Sequence, residues 1–166
     1  EFGAKDSGGY PTCVTVMKRL IRLQPDRRLD LTLRTVQLGE KYFGSGLPGA
    51  PTADDMVNRY LELGTIYLDG IEGAKAQEAL NKADELSRVA KNPPLQEIAD
   101  RKKDALLQIK TQARIDELVK TLQTKPDDKQ TANQLVTIYL YELDRPDRAA
   151  PYVKLTVDAG LAGYVD

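Results

Sequence analysis

Residues 56–90, MVNRYLELGTIYLDGIEGAKAQEALNKADELSRVA, decide the fold. Met56, Tyr60, Leu63, Gly64 and Tyr67 fall on one face of a helix, and Asp69-Gly70 interrupts it. Ala76, Ala79, Leu80, Ala83, Leu86 and Ala90 then keep the i, i+3, i+4 rhythm of a second amphipathic helix. Two such helices with only a short turn between them form a hairpin. Asn92-Pro93-Pro94 marks the end of the second helix. Thr52 stands as N-cap of the first, with Asp55 three residues on in the place of a capping-box carboxylate.

The pattern extends in both directions. Upstream, the Gly- and Ser-rich residues 1–10 read as a flexible or cloning-derived segment. A helix is predicted from Pro11, with Cys13, Val16, Met17, Leu20 and Leu23 on its apolar side, up to Pro25-Asp26. The next helix carries Leu29, Leu33, Val36 and Phe43 on one side and Leu31, Leu38 and Tyr42 nearly opposite, as a helix wedged between neighbours would. A Gly- and Pro-rich loop follows at 44–51. Downstream, residues 95–124 hold neither Gly nor Pro and read as one long helix or two nearly continuous ones. Leu95, Ile98, Ala99, Leu106 and Ile109 share a face there, while Ile115, Leu118, Val119 and Leu122 come out roughly opposite. Pro126-Asp127-Asp128 turns the chain into a sixth helix with Ala132, Leu135, Val136, Tyr139 and Leu143. A seventh follows, with Ala149, Tyr152, Val153 and Val157, and Pro151 in its first turn or bending it. The expected fold is all-α, antiparallel helical hairpins stacked as a short solenoid of about seven helices, with a single domain over 11–166.

The run Leu63-Gly64-Thr65-Ile66-Tyr67 resembles the tetratricopeptide-repeat family, in which a Leu-Gly pair precedes a Tyr by three residues. In that register Ala76, Leu80 and Ala83 take the small, large and small positions, where small residues let two helices meet and the large one fills the gap. Leu135-Val136-Thr137-Ile138-Tyr139 is a second, weaker match, with Val136 where Gly is usual and Ala149 one residue late. The likeness covers 56–92 and, more faintly, 126–160. A looser one links the Pro-Asp-Asp turn and the Tyr-rich helix to bacterial envelope proteins, which leaves the compartment open between cytoplasm and envelope.

Composition removes much chemistry. The 166 residues include no histidine and one cysteine, so imidazole bases, Ser–His or Cys–His nucleophiles and an intramolecular disulfide are absent together. No apolar run nears the roughly 20 residues of a membrane span, and residues 1–5 lack a signal-peptide pattern. They read as a cloning remnant or the start of an internal domain, which leaves export open. A net charge of −1 argues against a dedicated nucleic-acid binder. Asp54-Asp55 and Asp127-Asp128 stand at helix starts, where capping explains them better than metal binding.

Three features carry functional expectations. Lys18, Arg19 and Arg22, with Arg27 and Arg28 at the next corner, form a basic stripe opposite the expected core of the first helix. It suits an acidic partner or is an ordinary solvated face, the commoner fate of charge runs. The tetratricopeptide resemblance implies a groove lined by Asn58, Glu62 and Thr65 of the third helix and Gln130, Asn133, Gln134 and Thr137 of the sixth. These positions hold no Lys or Arg, which argues against a clamp for a peptide's terminal carboxylate. Among the tyrosines, Tyr60 and Tyr67 are expected between helices and Tyr141 on the surface. The resulting expectation is a non-catalytic scaffold that binds a protein or peptide, with no cofactor or metal; self-association through uncapped solenoid ends is a further option. The alternative is a structural spacer in a larger enzyme or envelope protein. An enzyme reading would rest on Glu97, Asp104 and Lys110 where the long helix changes face.

Overall fold

A computed structural model describes residues 9–156 of the chain, and all regular structure among them is helical. The elements are α1 (Gly9–Leu23), a 3-10 turn (Pro25–Arg27), α2 (Arg28–Tyr42), α3 (Ala53–Asp69), α4 (Gly73–Ser87), α5 (Leu95–Thr124), α6 (Lys129–Thr137), a π-helical segment (Ile138–Glu142) and α7 (Pro146–Val153). Two compact units divide within α5: Glu1–Leu106 and Leu107–Asp166.

In the first unit α3 is flanked by α2 and α4. Met56, Val57, Tyr60, Leu61, Leu63 and Leu68 of α3 share a core with Val36 of α2 and with Ala76, Ala79, Leu80 and Ala83 of α4. At Gly64 α3 and α4 approach closely, since a β-carbon there would stand 2.8 Å from Cγ and Cδ2 of Leu80. Leu80 is itself fully enclosed and cannot swing away. Gly39 of α2 does the same for α3, leaving room for the Met56 sulfur 2.6 Å from where its β-carbon would be.

The ends of these helices are tied by polar groups the sequence places there. Thr52 and Asp55 form the expected capping box. Asp54 does more than offset the helix dipole. Its carboxylate accepts from the Lys91 and Asn92 backbone amides at 3.0 and 2.8 Å, so the start of α3 holds the turn after α4. Those two amides hold the Asp54 carboxyl below the usual carboxylate range. At the other end of α3, Glu72 donates its N–H to the Tyr67 carbonyl and Ile71 to that of Leu68, a Schellman closure. The left-handed residue in this closure is Ile71 (φ 58°), with Gly70 one place before it at φ −83°. A β-branched residue in that conformation is strained.

Helix α1 departs from expectation. It starts at Gly9, not Pro11, and its buried residues are Gly9, Tyr10 and Val14, while Val16 and Leu23 are exposed. The inner face therefore runs through 10, 14, 17 and 21, which brings Lys18 to its border. In α2 the buried set is Leu31, Thr32, Thr35, Val36 and Gly39, and Phe43 lies near the surface.

Helix α5 is unbroken through 30 residues. Ile98 and Ala105 join the core of the first unit, and Lys102 binds Asp84 of α4 at 2.8 Å. Leu95, Ala99, Leu106 and Ile109, expected on the face of Ile98, are exposed instead, because Ala105 and not its larger neighbours faces the core. Past Leu107 the buried residues of α5 are Thr111, Ile115 and Leu122, the last two packing with Ala132, Leu135 and Ile138 in the second unit. The helix thus needs no break: each part serves the core of its own unit.

In that unit α6 and α7 form the second hairpin. Asp128 caps α6, accepting from Gln130 and Thr131. Val136 and Ala149 are both fully buried in one cluster, with Tyr139 and Tyr152 stacked at 6.1 Å beside them. Val136 thus stands buried where the first hairpin has Gly64. Pro151 sits inside α7, beyond its first turn. Val153 ends the helix, and Val157 lies outside the described residues.

Two stability measurements test this account. Gly64→Ala gains helix propensity but overpacks Leu80, and a net loss of about 1–2 kcal/mol is expected in urea unfolding. Adding Leu80→Val should recover part of it, a coupling that independent sites would lack. For Asp54→Asn, a lower Tm at neutral pH is expected. The wild-type carboxyl titrates lower folded than unfolded, so its contribution is complete above the unfolded value and disappears as pH falls through the folded one. The Tm of the variant should therefore change less between roughly pH 5 and pH 2.

Candidate functional site

Each unit carries a pocket that joins residues at the edge of its core to polar side chains at the surface. In the first unit, a pocket of about 170 Å³ is lined by Lys18 and Ile21 of α1, Thr32 and Thr35 of α2, and Asp55, Asn58, Arg59 and Glu62 of α3. Asn58 and Glu62 were expected at a groove and are here. Thr65 is not: it is half-buried, with its hydroxyl donated to the Leu61 carbonyl at 3.0 Å. Arg59 was missed by sequence reasoning. It lies beside Asn58 and three residues from Glu62, with its guanidinium 5.4 Å from the Tyr10 ring centroid. The signal was the Tyr10 position, which the reading of residues 1–10 as flexible had set aside. Burial raises the Tyr10 phenol above its ordinary pKa, and the Arg59 charge pulls partly the other way.

The basic stripe is not one surface. Lys18 lines the pocket, and Arg19 and Arg22 are exposed on α1. Arg27 is paired with Asp30 at 3.2 Å and also donates to Gln24. Arg28 lies 3.9 Å from Asp69. The corner arginines are thus partly neutralised by acids of their own unit.

In the second unit, an open groove of about 620 Å³ is lined by Arg114, Glu117 and Leu118 of α5, by Gln130, Asn133, Gln134 and Thr137 of α6, and by Ile138 and Glu142 of the π segment. All four α6 residues expected at a groove are brought together. The α6 N-cap at Asp128 and the buried Ala132, Leu135 and Val136 on the opposite side fix this face outward. Three charged residues from neighbouring segments, Arg114, Glu117 and Glu142, accompany the amides, and Arg114 donates to both Glu142 oxygens at 3.0 and 3.2 Å. Helical periodicity gave no signal for Glu142, because the π segment shifts the register of residues after Thr137 relative to an α-helix. Tyr141 is exposed, as expected of a contact residue, and Tyr60 is buried with its hydroxyl donated to Glu40.

Glu97, Asp104 and Lys110 are exposed on α5, and none lines either pocket. Among the described residues no three His, Cys, Asp or Glu side chains are grouped to hold a metal ion, and no helix is long and apolar enough to cross a membrane. Asp54 and Asp128, whose carboxylates take backbone amides, are used at helix ends.

Compared with protein-family models, with curated proteins and with solved structures, the chain matches none.

Proposed function

We propose that the chain is a non-catalytic scaffold that binds a peptide segment of a protein partner in the α5–α6 groove of its second unit. The observation that carries this reading is the assembly of Gln130, Asn133, Gln134 and Thr137 along one groove with Leu118 and Ile138. Each primary amide both donates and accepts, as the backbone of an extended peptide does. Leu118 offers a half-buried apolar anchor beside them, and the Arg114–Glu142 pair supplies charge of both signs at the edge. The tetratricopeptide resemblance, where first helices line a groove, supports the same assignment. Such binding works by surface complementarity alone. The spacer alternative draws on the uninterrupted α5 and requires no ligand.

Selection of peptides from a displayed random library against the full chain tests this. The bound peptides should perturb the side-chain amide signals of Gln130, Asn133 and Gln134 first in NMR titration. The triple variant Asn133→Glu, Gln134→Glu, Thr137→Glu should weaken binding about tenfold or more by placing unpaired charge against the ligand. Perturbations confined to other surfaces, or no selected peptide at all, would sink the groove reading in favour of the spacer.

A further inference from the structure

The pocket of the first unit holds polar groups left without partners. Thr32 is 3% exposed, yet its hydroxyl makes no hydrogen bond. Other helical threonines of this chain solve that problem locally: Thr15, Thr35, Thr121 and Thr137 each donate to the carbonyl four residues back. Thr32 does not. On the same pocket wall, Nε and Nη1 of Arg59 are shut off from water and have no acceptor. A buried donor without an acceptor is costly, and a cationic one more so. Both residues line the same pocket, where a small side-chain shift would open these donors to an acceptor from outside.

Charge narrows the ligand. Lys18 and Arg59 line the pocket together with Asp55 and Glu62, and no ion pair within 4.0 Å joins either cation to either acid. The Oδ2 of Asp55 takes the Thr52 amide and hydroxyl, which leaves its other oxygen for the pocket. Charges of both signs kept apart suit a molecule that carries both. A dianion such as phosphate would meet the two acids. The volume lies below the roughly 300–1,000 Å³ of sites for drug-sized ligands, which points to a small molecule. We propose that this pocket binds a small zwitterion of the α-amino-acid class, with its carboxylate on Arg59 and Thr32 and its ammonium toward Asp55 and Glu62. This site is separate from the α6 groove and stands or falls without it.

Calorimetric titration of the full chain with glycine, L-alanine and L-glutamate tests the proposal, beside acetate, methylammonium and inorganic phosphate. At least one amino acid should bind saturably, and more tightly than acetate or methylammonium alone. Arg59→Lys, which keeps the charge and loses the fork, should weaken it about tenfold or more. Thr32→Val guards against a variant that merely fails to fold. It removes an unpaired hydroxyl at nearly constant shape, so it should raise Tm by about 4 °C or more while it weakens the ligand. No saturable binding by any amino acid overturns the proposal, as does phosphate or acetate binding at least as well. Binding indifferent to both substitutions, or a Thr32→Val protein that melts lower, overturns it too.

Discussion

Helix α3 can be buried on two sides because glycine stands where a neighbour comes close. Gly39 on α2 accepts Met56, and Gly64 on α3 accepts Leu80 of α4. Each contact puts a large side chain against bare backbone, so helices approach without leaving a void. The rest of the first unit follows from that spacing. Asp54 reaches the turn after α4 only because α3 and α4 lie this close, and α2 presents Thr32 and Thr35 to the same pocket wall as Arg59. The unit also carries visible strain at Ile71, held left-handed by the closure of α3.

What the sequence made legible is what periodicity encodes. The α3–α4 hairpin, its capping box and the amide face of α6 could be read because apolar spacing and N-cap chemistry are local. Misreadings arose where the decisive residue is small or polar. Ala105 outranks Leu106 in α5, and Thr32 and Thr35 take core positions in α2, because tertiary neighbours and not hydrophobicity choose the inward face. Tyr10 was lost to the Gly-rich residues before it, and with it went the aromatic support of Arg59. The π segment is invisible to a period of 3.6, so Glu142 could not be placed against Arg114 beforehand.

The two pockets contrast in how they treat their polar groups. In the α6 groove they are exposed or already matched, as the Arg114–Glu142 pair shows, which suits a surface that exchanges water for peptide at little cost. In the first unit the Thr32 hydroxyl and two Arg59 nitrogens are enclosed and unmatched. Proteins tolerate such sites where function needs them, and the cost is spread over a well-packed core.

The residue that stands in Gly64's place in the second hairpin bears on how the chain finds its own pairs. Gly64 leaves bare backbone for Leu80, whereas α6 carries Val136 there, fully buried in its own cluster. Were α6 to pair with α4, Val136 and Leu80 would collide. Hairpins so alike in pattern would otherwise be open to mispairing and to exchange between molecules. One branched side chain makes α6 a poor fit for the wrong mate, so a likeness that invites confusion is corrected by a few carbon atoms.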